Sequence, residues 1–374
     1  MPNKSRRSED SRDSMPQNEN CPSYPTLPAS EEIPTEPVPL CLHCGGSGRP
    51  LYTGLSDRLF GVPGTWGHSQ CPQCGLVWLN PRPLPEALGR TYRTYYTHGR
   101  RRRFAALQES LKRGLFSTIL GCEGIAGSPL WRLAGEILSW LPSWQERAIL
   151  GTMCLNGAGK QDKGVKKTLL DVGCGDGEFL SLMRDAGWEV AGIEPDPAAA
   201  DRAERVHDIQ VIAPTVQAAP IAPGSVDAVT LSHVLEHAAD PLALLRDCRR
   251  WLKPQGKIVI VTPNLASRSS RHFRDSWVHL DPPRHLYLFS PATLRHCCQQ
   301  AGLRVERLRT SARTAAWVWA ASDSIRRKGS FSRESDHTWR RRIVATGLLA
   351  EEEISRRMRG LDRAGDELVL IGGK

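Results

Sequence analysis

The stretch Thr168-Leu169-Leu170-Asp171-Val172-Gly173-Cys174-Gly175-Asp176-Gly177-Glu178 decides the fold. An apolar run ends in alternating glycines. A segment from Glu178 to Ala186 follows, with Phe179, Leu182, Met183 and Ala186 on one helical face and Gly187 as its stop. This reads as a strand, a tight turn and a helix. Without a Cβ at Gly173 and Gly175, a ligand can approach the backbone closely. The helix start beyond offers free N–H groups and partial positive charge, which suits a carboxylate or a phosphate. A dinucleotide fingerprint needs its third glycine where Glu178 stands, and that carboxylate would face a pyrophosphate, so the loop argues against NAD. Glu194 ends the next strand, 21 positions after Gly173, where a carboxylate can accept both hydroxyls of a ribose.

Working outward, Glu189–Ile193, Gln210–Ile212, Asp227–Leu231, Lys257–Val261, Leu303–Leu308 and Glu367–Ile371 read as strands. Helices are expected over Pro241–Leu252 and from Ser290 and Pro291 to Ala301, the latter closed by Gly302. Strands alternating with helices of this length imply an α/β, doubly wound, mostly parallel sheet.

Four motifs in order, Asp171-Val172-Gly173-Cys174-Gly175-Asp176-Gly177, Gly192-Ile193-Glu194-Pro195-Asp196, Ser232-His233-Val234-Leu235-Glu236-His237 and Leu252-Lys253-Pro254-Gln255-Gly256, resemble the class I S-adenosylmethionine-dependent methyltransferases, near their ubiquinone O-methyltransferase and polysaccharide-cluster branches. The resemblance runs from about Thr168 to Leu308. It implies a Rossmann-like sheet of seven strands, six parallel and the last, Asp366–Ile371, antiparallel. It also implies S-adenosylmethionine as cofactor, with contacts from Asp171, Gly173, Gly175, Gly177, Glu194 and Ser232 and with Glu194 on the ribose. The loop Ala213–Gln217 departs from the pattern by lacking an acidic residue for the adenine. Methyl transfer from a sulfonium needs alignment, exclusion of water and, for some acceptors, a base.

His233, Glu236 and His237 stand at i, i+3 and i+4 and would share one face if helical. Three readings compete: an inverted zinc-protease string, a structural hydrogen-bonding cluster, and a catalytic one. In some methyltransferases acting on ribose or catechol hydroxyls, a similar E-x-x-E-H binds a divalent metal. Here the first acid is replaced by His233, and hard Mg²⁺ prefers oxygen. A base at His233 or His237 remains open. The loop Leu280-Asp281-Pro282-Pro283-Arg284-His285-Leu286 should face the substrate beyond the strand ends. There His285 can accept a proton and Arg284 can bind an acidic group, or both can pin the loop through its backbone.

Cys41-x-x-Cys44 and Cys71-x-x-Cys74, separated by the 26 residues 45–70, read as a four-thiolate structural zinc ribbon. Gly45 and Gly75 after each pair let the chain turn, and His43 and His68 are spare ligands. Cys174, Cys297 and Cys298 read as packing residues. A ribbon placed before this domain resembles the sugar C-methyltransferases. The resulting organisation is a disordered tail over 1–38, a zinc-ribbon-like module over 39–85, a helical linker or cap over 86–165 and the methyltransferase domain over 166–374, with a helical insertion over 310–360. Tyr92, Tyr95, Tyr96 and His98 fall in a stretch that can cap the cleft.

With 374 residues and 40% apolar content the chain can bury a core. Its net charge of +10 favours acidic partners, yet the arginines lie in small scattered clusters, which argues against a nucleic-acid surface. No apolar run spans a membrane and the first residues lack a signal-peptide core, so a cytoplasmic location is expected. Trp317, Trp319 and Trp339 among arginines can touch a membrane interface or pack as a lid or dimer contact. The function expected is methyl transfer, most simply to oxygen, on a small molecule or glycan precursor. The alternatives are a cofactor-sensing binding protein without turnover and nucleic-acid modification, which would bind with strong salt dependence.

Overall fold

A computed structural model describes residues 32–92, 105–155, 166–331 and 365–374. At its start, Arg49–Leu55 (β2), Trp66–Gln70 (β3) and Val77–Leu79 (β4) form an antiparallel sheet, while Thr35–Glu36 (β1) pairs with Arg82–Pro83 (β5). The expected tail over 1–38 is therefore too long at its inner end. Ile33 is buried, Val38 N–H donates to Asn80 Oδ1 at 2.9 Å, and Leu84 N–H donates to the Pro34 carbonyl at 2.9 Å. These contacts offset the ordering entropy of a segment whose Pro and Glu content looks tail-like.

The helices Pro85–Leu88 (α1), Ala105–Leu120 (α2), Pro129–Ser139 (α3) and Pro142–Gly151 (α4) follow, broken at Gly127 and Pro142. A Cβ on Gly135 would stand 2.2 Å from the Gly114 backbone, so α2 and α3 cross in direct backbone contact. The outer face of α3 leaves Leu130, Leu133 and Ile137 exposed.

The large sheet is built from Thr168–Val172 (β6), Glu189–Ile193 (β7), Val211–Ala213 (β8), Val226–Ser232 (β9), Leu252–Pro263 (β10), Arg304–Ser311 (β12) and Glu367–Gly373 (β13). Its order is β12-β13-β10-β9-β6-β7-β8, and β13 alone runs antiparallel to its neighbours. The expected seven-stranded, doubly wound α/β sheet is thus present. Strand β10 starts earlier than its apolar run, with an irregularity between Leu252 and Lys257. Glu178–Asp185 (α5), Pro197–His207 (α6), Pro241–Trp251 (α7), Arg268–Phe273 (α8), Pro291–Gln300 (α9) and Ala315–Lys328 (α10) complete the fold. Asp196, Asp240 and Ser290 accept backbone N–H bonds at the starts of α6, α7 and α9. The rest of the expected 310–360 insertion, Trp339 included, lies outside the described residues.

Tyr287–Leu288 (β11) leaves the large sheet's domain and pairs antiparallel with β4, Tyr287 opposite Trp78 and Leu288 opposite Val77. The cysteine-bearing sheet thereby gains its fourth strand from the segment that follows β10. One hydrophobic core runs through both, from Trp78 and Leu79 to Leu231, Ile260 and Phe289. No helix among the described residues is long and apolar enough to cross a membrane.

Candidate active site and metal centre

The strand order reverses between β6 and β9, which opens a crevice at the carboxyl ends of these strands. The loop after β6 places Gly173, Gly175 and Gly177 at φ 72°, 58° and 80°, the region favourable to glycine. A Cβ on Gly173 would lie 2.5 Å from Val234 Cγ2, so the protein's own packing, not only a ligand, excludes a side chain there. Glu194 Oε2 accepts the Gly175 N–H at 2.8 Å and Oε1 accepts the Asp196 N–H at 2.9 Å. The carboxylate is thus fixed across the loop at the edge of the crevice. Ser232 ends β9 at the same edge and is half-buried. Asp171, expected among the cofactor contacts, points into the sheet instead. It accepts Thr230 Oγ1–H at 2.6 Å, and burial, with Glu194 nearby, lifts its carboxyl to about 7 against that bond.

His233 follows β9 with φ 56°, and only Leu235–His237 form a 3-10 turn, so the expected single helical face does not exist. His233 Nδ1 lies 3.2 Å from Glu236 Oε1 and Nε2 lies 3.0 Å from Glu367 Oε1. Burial alone would lower this imidazole, but the two carboxylates lift it to about 9. Both nitrogens donate, no lone pair is left, and the expected base role of His233 is corrected to that of a half-buried cation. Arg313 Nη2 also reaches Glu367 Oε1 at 3.0 Å. Burial pushes the Glu236 carboxyl up, yet His233 holds it at about 2.

His237 differs. Its Nδ1 is 3.0 Å from the Arg284 carbonyl and 2.9 Å from the Tyr92 hydroxyl. A carbonyl only accepts, which assigns the proton to Nδ1 and leaves a lone pair on Nε2. Burial, with His285 beside it, lowers His237 to about 4, so it is neutral at physiological pH. The same logic holds for His285, whose Nδ1 lies 2.7 Å from the His279 carbonyl and which burial lowers to about 4. The two rings meet edge to face at 4.7 Å. Ligand atoms of Glu236, His237 and His285 lie within 4.8 Å of one another. Two neutral imidazoles and one carboxylate can share a proton or hold a divalent transition ion, a donor set softer than Mg²⁺ prefers. Tyr92, from the stretch expected to cap the cleft, reaches this group; Tyr95, Tyr96 and His98 lie outside the described residues.

Arg284, expected to meet an acidic substrate group, is wholly buried. Its Nη1 and Nη2 donate to Asp57 Oδ2 and Oδ1 at 2.8 Å each, Nε donates to Asp281 at 3.1 Å, and Nη2 also meets Asp281 Oδ1. With its donors taken by two carboxylates, it offers none to a substrate.

The four cysteine sulfurs converge. Cys41 and Cys74 are 3.4 Å apart, Cys44 and Cys71 3.4 Å, and Cys44 and Cys74 3.9 Å. A tetrahedral zinc with bonds of about 2.3 Å needs sulfurs roughly 3.8 Å apart, so the residues fit that ion with small outward shifts. The two knuckles repeat: Gly45 N–H donates to the Cys41 carbonyl at 2.9 Å and Gly75 N–H to the Cys71 carbonyl at 3.0 Å. Burial raises the Cys71 thiol, but the backbone N–H groups of Cys74 and Gln73 outweigh it and bring it to about 6. The spare ligands are not needed. His43 packs on His296 with ring centroids 5.1 Å apart, and His68, buried on β3, is lowered to about 3 by burial and by His285. His68 therefore belongs to the histidine group, not to the cysteines. Cys174, Cys297 and Cys298 are buried among apolar side chains.

Asp57, His279, Arg313 and Glu367 were not singled out by sequence reasoning. Ser56-Asp57-Arg58-Leu59 carries the signal of an Asx turn, and Asp57 Oδ1 does accept the Leu59 N–H at 2.9 Å. Nothing local announces a partner 227 positions away.

Residues 154–308 match a family described as "Methyltransferase domain". The chain is 37% identical over 107 residues to a ubiquinone biosynthesis O-methyltransferase of Pseudomonas paraeruginosa, a match covering 26% of this chain and 45% of the relative. It is 36% identical over 103 residues to the one from Xanthomonas campestris pv. campestris, covering 26% and 43%. It thus spans less than half the length of these relatives. Among solved structures, an S-adenosylmethionine-dependent methyltransferase from Mesorhizobium loti is 17% identical with a TM-score of 0.42, covering 61% of this chain and 98% of that one.

Proposed function

We propose that this chain, whose residues 154–308 form a methyltransferase domain, moves a methyl group from S-adenosylmethionine to an oxygen of a small molecule or glycan precursor, with His237 taking the acceptor's proton. The observation that carries this reading is the 3.0 Å contact of His237 Nδ1 with the Arg284 carbonyl, an acceptor only, from which we assign the ring proton to Nδ1. The Arg284 carbonyl holds Nδ1, burial keeps the ring neutral, and Nε2 is left with its lone pair, in the group that His237 forms with Glu236 and His285. When bound, the sulfonium supplies the electrophilic methyl. Beside the loop of Gly173 and Gly175, Glu194 offers carboxylate oxygens to the ribose, each also tied to a backbone N–H. His233, charged between Glu236 and Glu367, braces the floor of the site without exchanging protons. The relatives' printed name, an O-methyltransferase of ubiquinone biosynthesis, favours oxygen as the acceptor atom.

A second reading of the same residues rests on the convergence of Glu236, His237 and His285. With a divalent ion held there, His237 is a ligand and not a base. Zinc held by Cys41, Cys44, Cys71 and Cys74 is structural in both readings, because four thiolates close the coordination sphere. We place the enzyme in the cytoplasm and its acceptor outside nucleic acids; the packing of Trp317 on His279 and Phe331, and of Trp319 on His272 and Phe273, favours a packed role for α10 over a membrane contact.

The test is calorimetric titration with S-adenosylmethionine, followed by labelled methyl transfer to a panel of phenols and sugar nucleotides, with His237→Gln alongside. Micromolar binding with transfer abolished in the variant supports the base reading. Transfer that scales with added divalent metal supports the second. Absence of cofactor binding by folded, zinc-loaded protein moves the weight to a binding protein without turnover.

A further inference from the structure

The buried Asp57–Arg284–Asp281 cluster lies outside the methyl-transfer chemistry, yet it joins the cysteine module to the histidine loop. Asp57 sits in the turn between β2 and β3. Its carboxylate is organised from its own side, accepting N–H bonds from Leu59 at 2.9 Å, Phe60 at 3.0 Å and Val62 at 3.0 Å. It then takes both Nη atoms of Arg284 in a fork, while the Phe60 ring covers the guanidinium 4.6 Å away. Arg284 Nη1 also reaches the Thr91 carbonyl at 3.3 Å, next to Tyr92. The charges hold one another. Burial would raise the Asp57 carboxyl, but Arg284 keeps it lowered, and burial acting on Arg284 is outweighed by Asp281 and Asp57.

The backbone of the gripped residue then does the work. Arg284 N–H and His285 N–H both donate to the Asp281 carbonyl, at 2.9 and 3.1 Å, and Leu286 N–H donates to the Glu236 carbonyl at 2.8 Å. This turn aims the Arg284 carbonyl at His237 Nδ1 and sets the His285 ring against His237. We propose that Asp57 of the cysteine module is a positioning residue for His237: by gripping Arg284 it fixes the carbonyl that keeps the His237 proton on Nδ1. The inference rests on the reading of His237 as the proton acceptor. It makes the module part of the site's geometry and not an appended domain.

The test reads the tautomer directly and needs no acceptor. The full chain, with one zinc per chain, is labelled with 15N-histidine, and the ring nitrogens are recorded for wild type, Asp57→Asn, Asp57→Glu and Arg284→Lys. His237 is assigned by the signal missing in His237→Gln. The expected result is a single Nδ1–H form in wild type that is lost to a mixture with Nε2–H in Asp57→Asn. Asp57→Glu should recover part of it, while zinc content and S-adenosylmethionine affinity stay within about twofold, since the contacts of Asp57 are to Arg284 and to its own turn. An unchanged single tautomer in Asp57→Asn overturns the proposal. If Asp57→Asn does not fold, Arg284→Lys, which keeps the charge but loses the fork, decides by the same signal. Failure of both to fold as zinc-loaded protein makes the bridge a folding element and also overturns it. A wild type that shows the tautomer but binds no cofactor sinks the functional reading alone.

Discussion

The packing at Gly173 can be tested by a double-mutant cycle. Gly173→Ala asks an L-residue to sit at φ 72° and places a Cβ 2.5 Å from Val234 Cγ2. The left-handed backbone costs about 1–2 kcal/mol and the overlap about 1–3 kcal/mol more, so the variant should lose roughly 2–5 kcal/mol. Val234→Ala alone removes two methyls from a half-buried side chain and costs about 1 kcal/mol. In the double variant the overlap is gone while the backbone strain stays, so the coupling should be favourable by about 1–3 kcal/mol. Urea unfolding of the zinc-loaded protein, followed by its tryptophan fluorescence, measures all four corners. A coupling under about 0.5 kcal/mol would refute the claim that Val234 is what excludes a side chain at Gly173. Cofactor titration of the double variant adds a second result. Recovery of stability without recovery of affinity would show that the ligand needs the same space.

Three further outcomes follow from the site. Glu194→Ala should weaken S-adenosylmethionine binding by about 100-fold or more in calorimetry, since two charge-assisted bonds are each worth roughly 1.5–3 kcal/mol, and an unaffected affinity would remove Glu194 from the pocket. Asp171 is an acid whose folded value is raised to about 7, so its neutral form is favoured on folding and its contribution to stability is lost as pH rises from 3.8 to 7. Asp171→Asn should therefore gain up to about 4 kcal/mol over wild type at pH 8 and little at pH 4, read by thermal melts at the two pH values. Elemental analysis should find one zinc per chain, lost in Cys71→Ser, and chelation should lower the melting temperature because metal-binding energy is folding energy; a metal-free protein of equal stability would contradict the zinc centre.

Local chemistry made much of this readable. The α/β alternation follows from periodicity and is found where expected, turn residues and strand ends place Glu194 across the glycine loop, and ligand spacing brings the four sulfurs of the two Cys-x-x-Cys pairs together. The errors have identifiable causes. The spacing of His233, Glu236 and His237 fits one helical face, whereas a positive φ at His233 sends that ring to Glu367, 134 positions on. For Arg284 the sequence leaves open a substrate contact or a role in pinning its loop, because a place at the strand ends says nothing about Asp57, which takes the guanidinium. The tail was drawn past Ile33 because one apolar residue leaves no periodic mark, though it is enough to seat β1 against β5.

What the sequence determined by itself was the cast and the architecture: a doubly wound sheet, a cofactor loop and a four-cysteine module. Hydrophobic period, glycine backbone freedom and ligand spacing act over a few neighbouring residues, so they are written in the chain directly. Only the tertiary structure decided that His233 stands between Glu236 and Glu367, that His237 meets the Arg284 carbonyl, and that Asp57 holds Arg284. Those outcomes depend on which carboxylates and carbonyls arrive beside each ring in a medium of low dielectric, where a buried neighbour a hundred or more positions away sets the protonation state.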